Sequence, residues 1–319
     1  MNAFQAPASQ VAITLLVDKE NFAKAGGLQS ALGALVGILN PILSAVLLSI
    51  GGLQLVIGID MITFLFAFFT LLIFIKIPDS AVENNKIGIK ELKKSMKEGI
   101  FFIHAQKSVL FLLVMYSVLE FMGAISFDSM YSPFLLARTG NNETVVGIVS
   151  AIAATGSLSA SIILSTTKQP KRKIPIMLAG SLMCLCGIMF FGMGRNLWWW
   201  CIVAFIGCFG SPIYQTYQTV ILRERVPLSM QGRIFSLQGI ITSSLTPLGY
   251  IIGSILADYM FEPFMQGKGK VQNILSGLVG SGKGAGMGLM FVIAGMLGII
   301  ISILLYNNYH IKSLEEFEN

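Results

Sequence analysis

Eight stretches of this chain are about 20 residues long and nearly free of charge, and that pattern limits the fold more than any other feature. They run at about 28–49, 53–75, 108–127, 145–165, 175–193, 198–221, 234–256 and 285–306. A ninth, 1–16, is shorter and flecked with polar residues, as the end of a helix would be. Only 12% of residues are charged and mean hydropathy is +0.75, whereas a soluble domain carries roughly 25% charge. The chain therefore reads as an all-α integral membrane protein. A segment in lipid must satisfy its own backbone hydrogen bonds, which a helix does.

Charge gives the expected orientation. The connections 17–27, 76–107, 166–174 and 222–233, with the tail after 306, hold 17 of the 22 Lys and Arg. The opposite side holds five: Arg138, Arg195, Lys268, Lys270 and Lys283. The positive-inside rule makes the first set cytoplasmic, the C-terminus included. Trp198, Trp199 and Trp200 then fall at an outer interface and read as anchors. In the long connection 78–107, Lys90, Lys93, Lys94 and Lys97 alternate with Leu92, Met96, Ile100 and Ile103 at helical spacing. That is the pattern of an amphipathic helix on the inner membrane face.

The chain also repeats itself. Phe4, Pro7 and Gln10 recur as Phe209, Pro212 and Gln215, and Val17, Leu28 and Gln29 as Val226, Leu237 and Gln238 after a four-residue insertion. Six spans separate the copies, so both insert in the same direction. Two parallel halves are a layout of many secondary transporters. The expected units are 1–77 (remnant of a first half), 78–107 (central loop), 108–306 (complete six-helix second half) and 307–319 (tail). Residues 108–193 precede the second copy and have no counterpart before the first, so the first half is expected to be incomplete.

Several motifs resemble one family. Phe4-Gln-Ala-Pro7-Ala, followed by Leu16-Val17-Asp18-Lys19-Glu20-Asn21, resembles the loop after the fourth helix in the major facilitator branch of enterobactin and macrolide exporters. Val226-Pro227 with Gln231-Gly232-Arg233-Ile234-Phe235 resembles its loop between helices ten and eleven. Ala257-Asp258 with Phe261-Glu262-Pro263 resembles the outer end of helix eleven. The resemblance implies a major-facilitator-type bundle of about eight full spans plus one partial, without helices one to three. No residue matches the family's acidic and basic motif between helices two and three. The Gly-Pro motif of helix five is represented by Asn40-Pro41 with Ser44 and Ala45, so Pro41 is a conformational candidate.

Two acids inside spans are candidates for proton coupling. Glu120 lies twelve residues into its segment, ~18 Å deep at the helical rise. Asp60 lies about seven residues into the third segment. An ionisable group in a span is costly and faces a cavity or a partner. Asp60 also reads as a structural acid near the outer interface, and Asp128 as a solvated acid at the outer boundary. Gln231, Gly232 and Arg233 are gating candidates. Arg233 opens a span against the helix dipole and calls for a cytoplasmic partner, while Gly232 permits a tight backbone entry.

Other chemistry is poorly supplied. Cys184, Cys186, Cys201 and Cys208 lie in apolar stretches with no C-x-x-C pair, and His104 and His310 lack neighbours at ligand spacing, so no metal or cofactor is expected. Gly277 and Gly282-Lys283 approach a phosphate-loop pattern, but Gly284 replaces the required hydroxyl, so no nucleotide is expected. The stretch 277–288 reads as a flexible outer loop. Nucleic acid is not an expected partner; lipid and a small molecule are. The expected function, by resemblance, is secondary active export of amphipathic organic molecules, drug-, macrolide- or siderophore-like. It would run by alternating access and proton antiport in a bacterial-type inner membrane. The alternative is a non-transporting remnant of such a protein. An enzyme is not expected, since no nucleophile, base and metal set is present.

Overall fold

The computed structural model describes residues 10–11, 13–74, 89–267 and 269–307. The fold is all-helical. Helix α1, Phe22–Phe74, follows a short turn at Lys19–Asn21. Then come α2, Ile89–Ala105, and the spans α3, Lys107–Thr139, α4, Glu143–Thr166, α5, Ile174–Gly192, and α6, Leu197–Arg225. Span α7 is Leu228–Met265, α8 is the short helix Lys270–Val279, and α9 is Ala285–Tyr306. Among the described residues, six of these (α3 to α7 and α9) are long and apolar enough to cross a membrane. Helix α1 adds two apolar stretches that meet at Gly52, whose φ of 62° and ψ of −165° interrupt the helix. Glycine alone adopts that backbone without strain, and it falls between the two spans expected at 28–49 and 53–75.

Local signals fix the span ends. Asn142 caps α4 by accepting from the Thr144 amide at 3.1 Å, and Asn196 caps α6 through the Trp199 amide at 2.8 Å. Gly140 ends α3 in the left-handed conformation. Contact between spans runs through small residues, as expected where lipid and core are equally apolar. An atom added at Gly180 would meet the Tyr214 amide nitrogen at 2.8 Å, and one at Gly187 would meet the Gly207 Cα at 2.6 Å, so α5 and α6 pack backbone to backbone. Gly27 likewise seats α1 against Ser161 and Ser165 of α4, and Gly26 seats it against Thr216 of α6.

The bundle has two poles. At the end bearing Arg223 and Arg233, Phe22, Leu112, Leu222 and Ile234 form one core. At the other end Phe127, Phe134, Phe191 and Phe291 interlock, with Phe134 and Phe291 ring centroids 5.3 Å apart. The three tryptophans expected as anchors divide. Trp198 is 75% exposed, whereas Trp200 is 3% exposed and packs edge-on to Phe134. Trp199 donates its indole N–H to the Phe190 carbonyl at 2.8 Å. Consecutive helical residues point about 100° apart, so one tryptophan of the three turns inward.

Of residues 277–288, expected as a flexible loop leading into a closely packed helix, 280–284 form the connection, with Gly280, Gly282 and Gly284 at positive φ, while 277–279 end α8 and 285–288 begin α9. Arg195 donates to the Ser276 and Gly277 carbonyls, and Arg138 to those of Val279 and Ser281. Two cations thus cap the negative end of a helix.

Candidate functional site

A cavity of about 240 Å³ opens among α3, α5 and α6. Glu120 stands in its wall, and the Tyr214 hydroxyl donates to the Glu120 carboxylate at 2.8 Å. Tyr116 lies beside Tyr214, their rings 6.0 Å apart. Ser211 and Gln215 continue the polar wall, while Leu119, Phe127 and Ile188 make the rest apolar. An ionisable group inside a span is costly, and here the carboxyl has a phenol partner and faces a cavity.

Asp128 joins Glu120 in the same cavity, which the sequence did not suggest. Eight residues along a regular α-helix leave two side chains roughly 80° apart. Here residues Ala124–Asp128 form a π-helical turn, more loosely wound, which removes most of that offset and brings Asp128 to the cavity, where it remains exposed. Two acids, a phenol and two amphipathic walls therefore share one chamber. Asp60 does not reach it. It lies exposed on α1 beyond the Gly52 break, and its main chain, not its carboxylate, accepts from Thr63. Pro41 lies within the continuous helical run of α1, and its side chain is outside the described residues; the break in that helix is at Gly52 instead.

The gating candidates separate by what they touch. Arg233 has the partner it was expected to need: Glu98 on α2, at 2.8 Å. This pair joins the central amphipathic helix to the start of α7. Gln231 is buried and donates to the Arg223 and Val226 carbonyls at 2.9 and 3.0 Å, closing the end of α6. The tight entry expected at Gly232 is corrected, because a Cβ there would meet only Val11 at an ordinary 3.7 Å. Arg223 was overlooked as one more charge of a basic loop. It is in fact buried, with Gln10 as acceptor and the Phe22 ring beneath it. The expected span ended at 221, whereas the helix runs on to Arg225 and places Arg223 two residues inside its end.

Comparison with known proteins agrees with this architecture. Macrolide efflux protein A of Streptococcus pyogenes is 24% identical over 258 residues, which are 80% of this chain and 63% of that protein. Macrolide efflux protein A of Enterococcus faecalis is 24% identical over 249 residues, 77% of this chain and 76% of the relative. The chain thus spans less than two thirds of the length of the streptococcal relative. Residues 1–253 match the family model described as Major Facilitator Superfamily. With the helices, the small-residue packing and most of its length in agreement, the chain belongs to the major facilitator superfamily.

Proposed function

We propose that this protein works in secondary active export, moving amphipathic organic molecules outward in exchange for protons. Membership of a transporter superfamily supports transport rather than enzymatic chemistry. The two macrolide efflux relatives support export, with a macrolide as the first substrate to test. The observation that carries the coupling is Glu120 in the cavity wall with Tyr214 as its donor. In alternating access the cavity is wet from one side and then the other, and the carboxyl exchanges its proton as hydration changes. Apolar walls beside polar groups suit a ligand with both characters. Arg233 with Glu98 serves as a contact between conformational states, and residues 222–233 face the cytoplasm of a bacterial-type plasma membrane.

The test is Glu120→Gln in proteoliposomes carrying a pH gradient. Gln keeps the volume and accepts the Tyr214 hydrogen bond, but it has no proton to release. Gradient-driven macrolide efflux, normalised to folded protein, is expected to fall to background while macrolide binding stays within several-fold. Undiminished gradient-driven efflux in this variant removes Glu120 from the mechanism.

A further inference from the structure

A second cavity, of about 380 Å³, lies among α1, α4 and α6 and shares Ser211 and Gln215 with the first. Its walls are polar: Gln10, Gln29, Ser30, Ser157, Thr219 and Arg223 all reach it. Among the described residues that line it there is no Asp or Glu.

Arg223 is the anomaly in this wall. It is only 4% exposed. Its guanidinium donates to the Gln10 side-chain oxygen and lies over the Phe22 ring, 5.5 Å from the centroid. Its Nε is buried with no hydrogen-bond partner, as is the neighbouring Thr216 hydroxyl. Among the described residues the guanidinium has no ion-pair partner. The acid next to it in sequence, Glu224, binds Lys173 at 3.0 Å instead.

A guanidinium presents five N–H donors and is always charged. An amide oxygen and a ring face lower the cost of burying it but cancel none of its charge. Buried charges in proteins are paired. Among its described residues the cavity has no anion to meet this charge, and what it offers is a guanidinium edge, hydroxyls and amides. Arg223 lies two residues before the end of α6, and basic pockets near span ends are where anionic lipid headgroups bind.

We propose that this cavity binds a phosphate-type oxyanion against Arg223, supplied either as a free anion or as the headgroup of an anionic phospholipid. The oxyanion takes the free Nε–H and the surrounding hydroxyls, the charge-assisted arrangement that Arg favours. The site stands whether or not the Glu120 reading holds, because it turns on Arg223, which does not line the Glu120 cavity, although the two cavities share Ser211 and Gln215.

The test measures thermal unfolding of the whole purified chain in neutral detergent. One arm titrates inorganic phosphate against chloride at matched ionic strength, and the other adds phosphatidylglycerol against phosphatidylcholine. Phosphate stabilises proteins generally by exclusion, so the readout is the difference between wild type and variant. The wild-type midpoint is expected to rise saturably, with apparent affinity weakened about tenfold or more in Arg223→Gln and partly retained in Arg223→Lys. If Arg223→Gln does not fold, Ser157→Ala and Thr219→Val remove lining hydroxyls without removing the charge, and each is expected to weaken the response several-fold. A rise with both additives supports the free anion as ligand; a rise with phosphatidylglycerol alone supports the headgroup. A wild-type midpoint indifferent to both, or equal responses in wild type and all variants, overturns the proposal.

Discussion

Tyr214 has one hydroxyl, and it donates to Glu120. Tyr214→Phe removes that donor and keeps the ring that packs beside Tyr116. The cost to stability is expected to be about 1 kcal/mol, the net worth of one such bond, measured as a modest drop in unfolding midpoint. Gradient-driven efflux is expected to fall much further, because Glu120 loses the contact that fixes its orientation. An unfolding midpoint and efflux that both match wild type would remove Tyr214 from the coupling site. Gln231 presents the opposite balance. Its amide satisfies two carbonyls at the end of α6, so Gln231→Leu leaves them buried and unpaired at a cost of about 1–3 kcal/mol. The Arg233–Glu98 pair is partly exposed, and such pairs contribute about 0–1 kcal/mol. Glu98→Gln is therefore expected to leave the unfolding midpoint nearly unchanged. A change in transport rate without a change in midpoint would mark the pair as a contact between states, and a large loss of midpoint would make it an anchor.

Among the elements, α5 and α6 depend on glycines facing one another. Gly180 lies against the Tyr214 amide, and Gly210 against the Gly180 carbonyl. Gly180→Val inserts a branched side chain where backbone already sits, and Tyr214 is on the far side of the contact. The variant is expected to give little monodisperse protein in size-exclusion chromatography; a wild-type yield would show that the helices can separate without loss. The six spans between 107 and 306 and the helix over 89–105 were legible in the sequence, because they follow from apolar length and amphipathic spacing; the break at Gly52 was not read, although it falls in the gap between the two spans expected at 28–49 and 53–75. Glu120 was legible as a candidate through its depth alone. Asp128 was not, since no residue type encodes a π-turn; the turn is set by packing of Ala124 and Ile125 against Gly249 and Gly253 of α7. Arg223 was also hidden, because a charge beside Glu224 and Arg225 reads as loop until the end of α6 is known.

For the whole molecule, the direction of transport depends on which pole faces the cytoplasm. The poles differ in charge: Lys173, Glu224, Arg223 and Arg233 gather at one end, while Arg138 and Arg195 at the other are committed to the carbonyls of 276–281. The connections at the first pole also hold 17 of the 22 Lys and Arg, so by the positive-inside rule this pole is expected to stay inside. The prediction can be read directly with single cysteines in a background where Cys184, Cys186, Cys201 and Cys208 are replaced. Ser229 is exposed at the first pole, and Asn273 is exposed on α8 at the second. On intact cells an impermeant maleimide is expected to label Asn273→Cys and spare Ser229→Cys, with both labelled after permeabilisation. The reverse pattern would invert the molecule: Arg233 and Glu98 would then face outward, and the proposed export would become uptake.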